Sequence, residues 1–241
     1  MTSNENIEVI VVDNAEEGGK KAFEIVKEEL ENGLEVIGLP TGSSPETMYK
    51  ELRDSDLDFS DVVALNLDEY IGLEADHPQS YAHFMNEQLY NEKTFKETHI
   101  PNGTATDEEA ETYRYNQLII ENPIDLQILG IGTNAHLGFN EPGTSFKSLT
   151  EKVELTEDTI EANKRFFDSA DDVPKHAYSM GLASITSADK IMLLAYGENK
   201  AEAVANAING PVTEDVPASI LQEHNNVVFI LDKDAASQLE G

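Results

Sequence analysis

The chain of 241 residues contains no cysteine and no tryptophan. Without cysteine there can be no disulfide framework, no zinc–thiolate site and no thiol nucleophile. The sequence also lacks an apolar run near the roughly 18 residues that a membrane span needs. Its first residues, MTSNENIEVIVVDNAEE, have neither the basic start nor the apolar stretch of a secretion signal. These absences predict a soluble, cytoplasmic protein.

Basic residues are scarce as well. The sequence has 16 Lys and Arg against 47 Asp and Glu, a formal net charge of −31. Nucleic acids and anionic membranes bind through clustered basic side chains, so neither is expected as a partner. The arginines are limited to Arg53, Arg114 and Arg165, and an arginine that contacts an anionic substrate must be one of these. The acidity itself indicates a strongly hydrated surface.

What the chain does contain is a regular alternation of strand-like and helix-like segments. The short apolar runs are read as strands: IEVIVV, predicted to be buried, and then LEVIGLP, VVALNL, DLQILGIG, IMLLAYG and NVVFILD. Between them lie segments of helical spacing: EEGGKKAFEIVKEELENG, SPETMYKELRD, SYAHFMNEQLYNE, DEEAETYRYNQLIIEN and NKAEAVANAI. This order predicts an α/β fold with one doubly wound, mostly parallel sheet and helices on both faces. Because no linker or repeat interrupts it, residues 1–241 are predicted to form a single domain.

Ligands of such sheets bind beyond the carboxyl ends of the strands. At one such end, GLPTGSSPE places Thr41, Gly42, Ser43 and Ser44 just before a helix. Their backbone N–H groups and hydroxyls can hold a phosphate. A capped turn, with Ser44 as N-cap and Pro45 as the first helical residue, explains the pattern equally well. The segment lacks the lysine of a loop that binds nucleoside triphosphates.

Two other strand ends carry charged residues. In AYGENK, Lys200 stands at the start of a helix, where the helix dipole disfavours a cation. A bound phosphate would remove this conflict, and a solvated surface lysine is the alternative. In NLDEY, Asp68 and Glu69 directly follow a strand, and only one of two successive residues in extended chain can face a cleft. A carboxylate there is a candidate general base or, alternatively, a capping residue of the loop.

The segment GIGTNAHLGFNEPG, residues 130–143, fits two patterns. Its start matches the G-x-G-x-x-A of a dinucleotide-binding loop, but a later glycine and the Pro-Gly pair stop the helix that such a loop requires. The remainder favours acid–base chemistry, because His136 titrates near neutral pH and Asn134 and Glu141 can orient its imidazole. A structural histidine is the alternative. No H-x-H or H-E-x-x-H pattern occurs, so no metal site is predicted.

Arg165 lies in EANKRFFD, beside two phenylalanines, near the end of an acidic segment of helical spacing. Such an arginine can pack its aliphatic stem on the core and extend its guanidinium to an anion. From its surroundings alone, this remains a hypothesis.

Seven segments together carry a resemblance to a known family: LPTGSSPETMY, VVALNLDEYIGL, HPQSYAHFM, LGIGTNAHLGFNEPGTSF, ANKRFF, VPKHAYSMGL and GENKAEAV. Over almost its whole length the chain resembles the glucosamine-6-phosphate deaminases. The resemblance implies a cofactor-free isomerisation with deamination. In that reaction D-glucosamine 6-phosphate and water give D-fructose 6-phosphate and ammonia, so the expected partner is a small phosphorylated amino sugar.

The resemblance also implies roles for individual residues. Asp68 would be the general base for proton transfer between C1 and C2, and His136 would open the sugar ring. Asn134 and Glu141 would orient and polarise the imidazole, although family members often have an aspartate in place of Asn134. The phosphate-binding residues that it implies are Thr41, Gly42, Ser43, Ser44, Arg165 and Lys200. Because the chain stops soon after NNVVFILD, whereas longer members extend further and form allosteric hexamers, we expect a monomer or a small homo-oligomer.

Three other functions fit parts of the sequence. A deaminase acting on galactosamine 6-phosphate would use the same chemistry. A hydrolase resembling 6-phosphogluconolactonase would share the sheet but needs no proton shuttle between carbons, so NLDEY argues against it. The effector-sensing domain of a sugar-responsive regulator is disfavoured, because neither end carries a basic DNA-binding segment and the net charge is −31.

Overall fold

The computed structural model describes residues 6–239. The strands are β1 (Ile7–Val12), β2 (Val36–Leu39), β3 (Val63–Asn66), β4 (Asp68–Tyr70), β5 (Glu97–His99), β6 (Leu126–Leu129), β7 (Glu151–Glu154), β8 (His176–Ser179), β9 (Lys190–Ala195) and β10 (Val227–Asp232). The α-helices are α1 (Ala15–Glu31), α2 (Glu46–Asp54), α3 (Tyr81–Met85), α4 (Glu108–Glu121), α5 (Glu157–Asn163), α6 (Leu182–Thr186) and α7 (Ala201–Asn209). Short 3₁₀ turns lie at Lys164–Phe166, Ala170–Asp172, Glu198–Lys200 and Pro217–Glu223, and a π-helical turn at Asn86–Tyr90.

Within the described residues, seven strands form one sheet in the order β1-β10-β9-β6-β2-β3-β5. Every neighbouring pair in it is parallel. Strands β2, β3 and β6 are buried along their whole length, as strands covered on both faces must be. The chain winds outward in one direction from β2 and in the other from β6. The topological switch point therefore lies between these two strands, where doubly wound sheets bind ligands.

The two faces of the sheet carry separate hydrophobic clusters. Successive residues of β10 alternate between them, with Phe229 in one cluster and Ile230 in the other. Helices α1, α2 and α3 cover one face through residues such as Val26 and Leu52. Helices α4, α6 and α7 cover the other, for example through Val204. The predicted doubly wound α/β fold is confirmed.

A second sheet was not predicted from the sequence. Strands β4, β8 and β7 pair antiparallel in that order, with Asp68 opposite Ser179. One residue, Leu67, separates β4 from β3 of the large sheet. The chain therefore passes directly from the carboxyl end of β3, the neighbour of β2, into the small sheet, and this transition places Asp68.

Two local predictions need correction. IEVIVV was predicted as a buried strand, but β1 is the edge of the large sheet, and Val9 and Val11 are 37% and 51% exposed. Helix α2 begins at Glu46 rather than at Pro45, and Ser44 is not its N-cap. Pro45 itself occupies the cap position without a side-chain hydrogen bond, because its αR backbone already leads into the helix. In the described part of the chain, no helix is long and apolar enough to cross a membrane.

Candidate active site

A cavity of about 570 Å³ lies at the carboxyl ends of β2 and β6. It is lined by the loop after β2, the first residue of β4, the segment after β6, residues of α5 and the turn before α7. The predicted site residues that line it are Thr41, Gly42, Ser43, Ser44, Asp68, Asn134, His136, Glu141 and Lys200. This volume suits a phosphorylated monosaccharide. Among residues 6–239, His, Asp and Glu side chains form no group of three or more that could hold a metal ion.

Asp68 presents an unsatisfied carboxylate to the cavity. Its side chain is 6% exposed, and no group in the described residues donates a hydrogen bond to it. Burial, with a smaller contribution from the charge of Glu69, raises the pKa of Asp68 to about 8. A carboxyl with this pKa exchanges protons near neutral pH, as a general base must.

Glu69 is buried on the opposite side of β4. Its carboxylate accepts hydrogen bonds from the backbone N–H groups of Tyr70 at 2.8 Å and of Tyr81 and Ala82 at 2.9 Å. Burial raises the pKa of Glu69, and these hydrogen bonds act against the rise. The two neighbouring carboxylates therefore differ: one faces the cavity, and the other is tied to the start of α3.

The segment after β6 joins His136, Asn134 and Glu141 into one hydrogen-bonded group. His136 Nδ1 lies 2.7 Å from Asn134 Oδ1 and 3.6 Å from Glu141 Oε1. Asn134 Nδ2 donates to Glu141 Oε2 at 2.7 Å. Because the amide nitrogen must face the carboxylate, its oxygen faces the imidazole, and Nδ1 of His136 carries the proton. In the neutral ring, Nε2 is then the atom that can accept a proton.

Burial lowers the pKa of His136, with Lys200 acting in the same direction and Glu141 against it. The imidazole is therefore neutral at physiological pH. Its ring lies against the backbone of Gly132, where a Cβ atom would come within 2.1 Å of His136 Cε1. Only glycine fits at that position.

The backbone around His136 is a tight turn and not the start of a helix. Ala135 has φ of 67°, an uncommon conformation for a residue with a side chain. The turn is closed by hydrogen bonds from Ala135 N to Gly132 O at 2.9 Å and from Gly132 N to His136 O at 3.0 Å. Since no helix follows in residues 130–143, the segment has no dinucleotide-binding geometry.

The loop after β2 offers hydrogen-bond donors to the cavity. Within the described residues, the backbone N–H groups of 41–44 donate to no protein atom, and Gly42 has φ of 93°. Lys200 lines the same cavity, with Nζ 2.6 Å from Ile131 O. Burial lowers the pKa of Lys200, so an anion held beside it would stabilise its charged form.

Comparison with known proteins places this geometry in a family. A family model described as glucosamine-6-phosphate isomerases/6-phosphogluconolactonase matches residues 13–230. The glucosamine-6-phosphate deaminase of Lacticaseibacillus paracasei is 57% identical over 233 residues, covering 97% of this chain and 99% of the relative. The enzyme of the same name from Enterococcus faecalis is also 57% identical, over 97% of this chain and its own whole length. The chain belongs to the glucosamine-6-phosphate deaminase family.

Solved structures agree with this assignment. A monomeric glucosamine-6-phosphate deaminase superposes with a TM-score of 0.92 at 42% identity, over 96% of this chain and all of the other. The 6-phosphogluconolactonase of Trypanosoma brucei has a TM-score of 0.80 at 19% identity, over 97% of this chain and 98% of the other. At that identity, the lactonase shares the fold alone.

Arg165 is the predicted site residue that the structure does not bring to the cavity. It is exposed in the 3₁₀ turn after α5, and its guanidinium carbon lies 4.6 Å from the ring centre of Phe166. The last residue of this segment that lines the cavity is Asn163, two residues before Arg165. A role for Arg165 in phosphate binding therefore stays a prediction.

Two cavity residues were not singled out from the sequence. Tyr81, the first residue of α3, lines the cavity, and its hydroxyl interacts with Tyr70 and Thr41. Asn163 lines it too and donates to the Tyr70 hydroxyl at 2.8 Å. Tyr81 lies in the segment HPQSYAHFM, which carried part of the family resemblance, but no local pattern separates it from an ordinary helical tyrosine.

Proposed function

We propose that the chain converts D-glucosamine 6-phosphate and water to D-fructose 6-phosphate and ammonia. One observation carries this proposal: the same cavity is lined by Asp68, a buried carboxyl group without a hydrogen-bond donor among residues 6–239, and by His136, an oriented neutral imidazole. An isomerisation of an amino sugar needs both groups. The names of the curated relatives at 57% identity support the same activity.

In the first step, the pyranose ring opens. His136 Nε2 takes the proton of the C1 hydroxyl and returns a proton to the ring oxygen as the C1–O5 bond breaks. Asn134 keeps the imidazole in the tautomer with Nε2 unprotonated, and the Glu141 carboxylate stabilises the imidazolium formed in between. The product of this step is the open-chain aldehyde.

In the second step, Asp68 moves a proton between neighbouring carbons. Its carboxylate takes the proton from C2 while one proton of the substrate ammonium passes to O1, giving an enolamine, and the resulting carboxylic acid delivers a proton to C1. Carbon 2 is then an imine, to which water adds before ammonia leaves, giving the ketose. Because Asp68 lies on one side of the cavity, both transfers occur on one face of the sugar.

Phosphate binding is proposed for the 41–44 loop and Lys200, completed by Arg165 when substrate is present. The loop supplies free N–H donors, and Lys200 supplies a charge. The phosphate is remote from C1 and C2, so its binding energy serves to position these carbons against Asp68.

The test is a coupled assay for ammonia and fructose 6-phosphate, with glucosamine 6-phosphate and galactosamine 6-phosphate side by side. We expect both products in equal amounts from the glucosamine substrate. Faster turnover of the galactosamine substrate would reassign the sugar. Absence of ammonia from both, with hydrolysis of a 6-phosphogluconolactone, would reject the proposal.

A monomeric state belongs to the same proposal. The solved relative at 42% identity is described as monomeric, and the sequence predicts a monomer or small homo-oligomer. Light scattering after size-exclusion chromatography measures the mass directly, and a mass near six times 26.6 kDa would contradict the expectation. A cytoplasmic location stays a prediction from the sequence.

A further inference from the structure

Behind the candidate base lies a second buried carboxylate for which the mechanism has no use. Glu69 is 3% exposed and directly follows Asp68 in β4. Both of its carboxylate oxygens accept backbone N–H groups, Oε1 from Tyr70 and Tyr81 and Oε2 from Ala82. Glu69 therefore links two walls of the site, strand β4 and the start of α3, which lies 12 residues further along the chain.

We propose that Glu69 is a positioning residue for the proposed deaminase reaction, which fixes the start of α3 at the cavity wall and keeps a negative charge directly behind Asp68. The inference rests on the proposed function, since it assigns a role within that reaction. Glu69 touches no cavity atom and acts through its neighbours.

The first part of this role concerns Tyr81. Glu69 holds the backbone N–H of Tyr81 at 2.9 Å, and the Tyr81 ring lies 4.7 Å from that of Tyr70 and parallel to that of Phe139, within 4°. Tyr81 also interacts with Thr41 of the 41–44 loop. A shift at the start of α3 would therefore move Tyr81, whose side chain contacts Tyr70 in the strand of the candidate base and Thr41 in the 41–44 loop.

The second part concerns charge. N–H donors on both oxygens favour the ionised form of Glu69, whereas no such donor serves Asp68 in the described residues. The other titratable or charged groups that face Asp68 from its strand, from the packed helices or across the cavity are Tyr70, Tyr49, Tyr81, Tyr115, Asp158, Glu141, His136 and Lys200. Beside burial, the charge of Glu69 is the contribution that raises the pKa of Asp68.

The experiment compares Glu69→Gln with a matched control, Glu111→Gln, in the full chain. Glu111 is also buried, at 6% exposed, and also accepts a backbone N–H, from Asn102 at 2.8 Å. It lies away from the cavity and pairs with Arg114. Wild-type protein is assayed first for ammonia release from glucosamine 6-phosphate, so that a failure of the proposed function is seen before either variant is examined.

For Glu69→Gln, we expect kcat to fall about tenfold or more, because the start of α3 and Tyr81 are misplaced. We also expect the acidic limb of the pH profile, in which kcat/KM rises as Asp68 ionises, to move about half a pH unit or more to lower pH. Glu111→Gln should lower thermal stability without moving the limb. A Glu69→Gln profile that superimposes on the wild-type profile would overturn the inference, as would an equal displacement in the control.

Glu69→Asp keeps the proposal testable if Glu69→Gln does not fold. The shorter side chain retains the charge but cannot reach all of its backbone donors. We expect the acidic limb to stay at its wild-type pH while kcat falls. Wild-type kcat in Glu69→Asp would contradict the positioning role, and a displaced limb would contradict the role of the charge.

Discussion

Asn134 presents its carbonyl oxygen to Nδ1 of His136 at 2.7 Å, and the same side chain accepts the backbone N–H of His136 at 3.2 Å. Its amide nitrogen donates to Glu141 at 2.7 Å. The amide thus connects a carboxylate to an imidazole without itself exchanging a proton. In this arrangement the orientation of the ring, and not a proton relay through residue 134, is the property that the side chain supplies.

Exchanges at residue 134 test this interpretation. Asn134→Leu removes the acceptor for Nδ1–H, and we expect kcat to fall by at least about tenfold because the wrong tautomer becomes accessible. Asn134→Asp keeps an acceptor and should retain activity within about tenfold of wild type, while raising the pKa of His136 through its added charge. Ammonia release and the imidazole titration by NMR are the measurements. Equal losses in the two variants would refute orientation as the role.

Gly132 and Gly130 form a matched pair for the packing of the imidazole. In Gly132→Ala, the new methyl group would lie 2.1 Å from His136 Cε1, so the ring must leave its position and activity should fall at least about 100-fold. In Gly130→Ala, the nearest atom to the methyl group is 3.9 Å away, on Ser44. The NMR shifts of His136 should therefore move in the first variant and not in the second. An unmoved ring resonance in Gly132→Ala would contradict the predicted displacement.

The pH dependence of kcat/KM should belong to Asp68. The base works when ionised, and its pKa is about 8, so kcat/KM should rise with pH up to that value and then level off. The pKa of His136 is lowered from 6.5 by burial, so the imidazole is already neutral at the pH where Asp68 titrates. A limb that ends near pH 4, the ordinary range of an aspartate, would show that Asp68 is not desolvated as described.

Asp68→Asn should abolish the reaction and stabilise the fold. The folded state keeps a proton on Asp68 up to about pH 8, whereas the unfolded chain releases it near 3.8. Between these values the folded state binds more protons, so its stability falls as pH rises. The variant lacks this cost and should gain on the order of 5 kcal/mol in the free energy of unfolding at pH 8, and little near pH 4.

Urea unfolding at both pH values checks the gain in stability, and solvent-proton exchange at C2 checks the chemistry. Exchange retained above a few per cent of the wild-type rate, by the scale of general-base contributions, would refute the assignment of Asp68 as the base. A gain in stability that is the same at both pH values would refute the stated origin of the stabilisation.

Phosphate recognition is tested with three cationic residues. Lys200→Ala should raise KM for the phosphorylated sugar and leave a dephosphorylated sugar little affected, because the lysine lies in the cavity. Arg165→Ala should raise KM in the same selective way, although its guanidinium lies over Phe166 without substrate. Lys190→Ala is the control, since that lysine is similarly buried but paired with Glu29 at 2.8 Å. Equal effects on both sugars would mean that Lys200 and Arg165 do not contact phosphate.

Six strands of the large sheet could be predicted from the sequence because they are short apolar runs, such as VVFILD in β10. The seventh, the edge strand β5, could not, because it is three residues long, reads ETH and is mostly exposed. The small sheet could not. Its strand β7 reads EKVE and is mostly exposed, and β4 pairs with residues more than 100 positions away in the chain. Local periodicity carries no signal for such a pairing, which depends on tertiary contacts. The single-domain organisation stays a prediction.

The site followed the same division. Asn134, His136 and Glu141 lie within one span of eight residues, so the contact between their side chains could be inferred from the local sequence alone. Asp68 could be placed at a strand end, but its burial and its lack of hydrogen-bond donors among the described residues depend on tertiary packing that the local sequence does not show. The position of Arg165 depends on how the segment after α5 packs, and no pattern within that segment determines this.

The transition from β3 into β4 has a consequence for the range of sugars that the enzyme can use. The 41–44 loop follows β2 of the large sheet, whereas Asp68 begins β4 of the small one. At the proposed phosphate site, the distance from the phosphate to the proposed base would therefore be set by the packing of the two sheets. A six-carbon sugar phosphate has four carbon–carbon bonds between its phosphorylated carbon and C2. A five-carbon amino sugar phosphate held at the same loop would place C1, and not C2, beside the Asp68 carboxylate, so its C2 proton would not be removed.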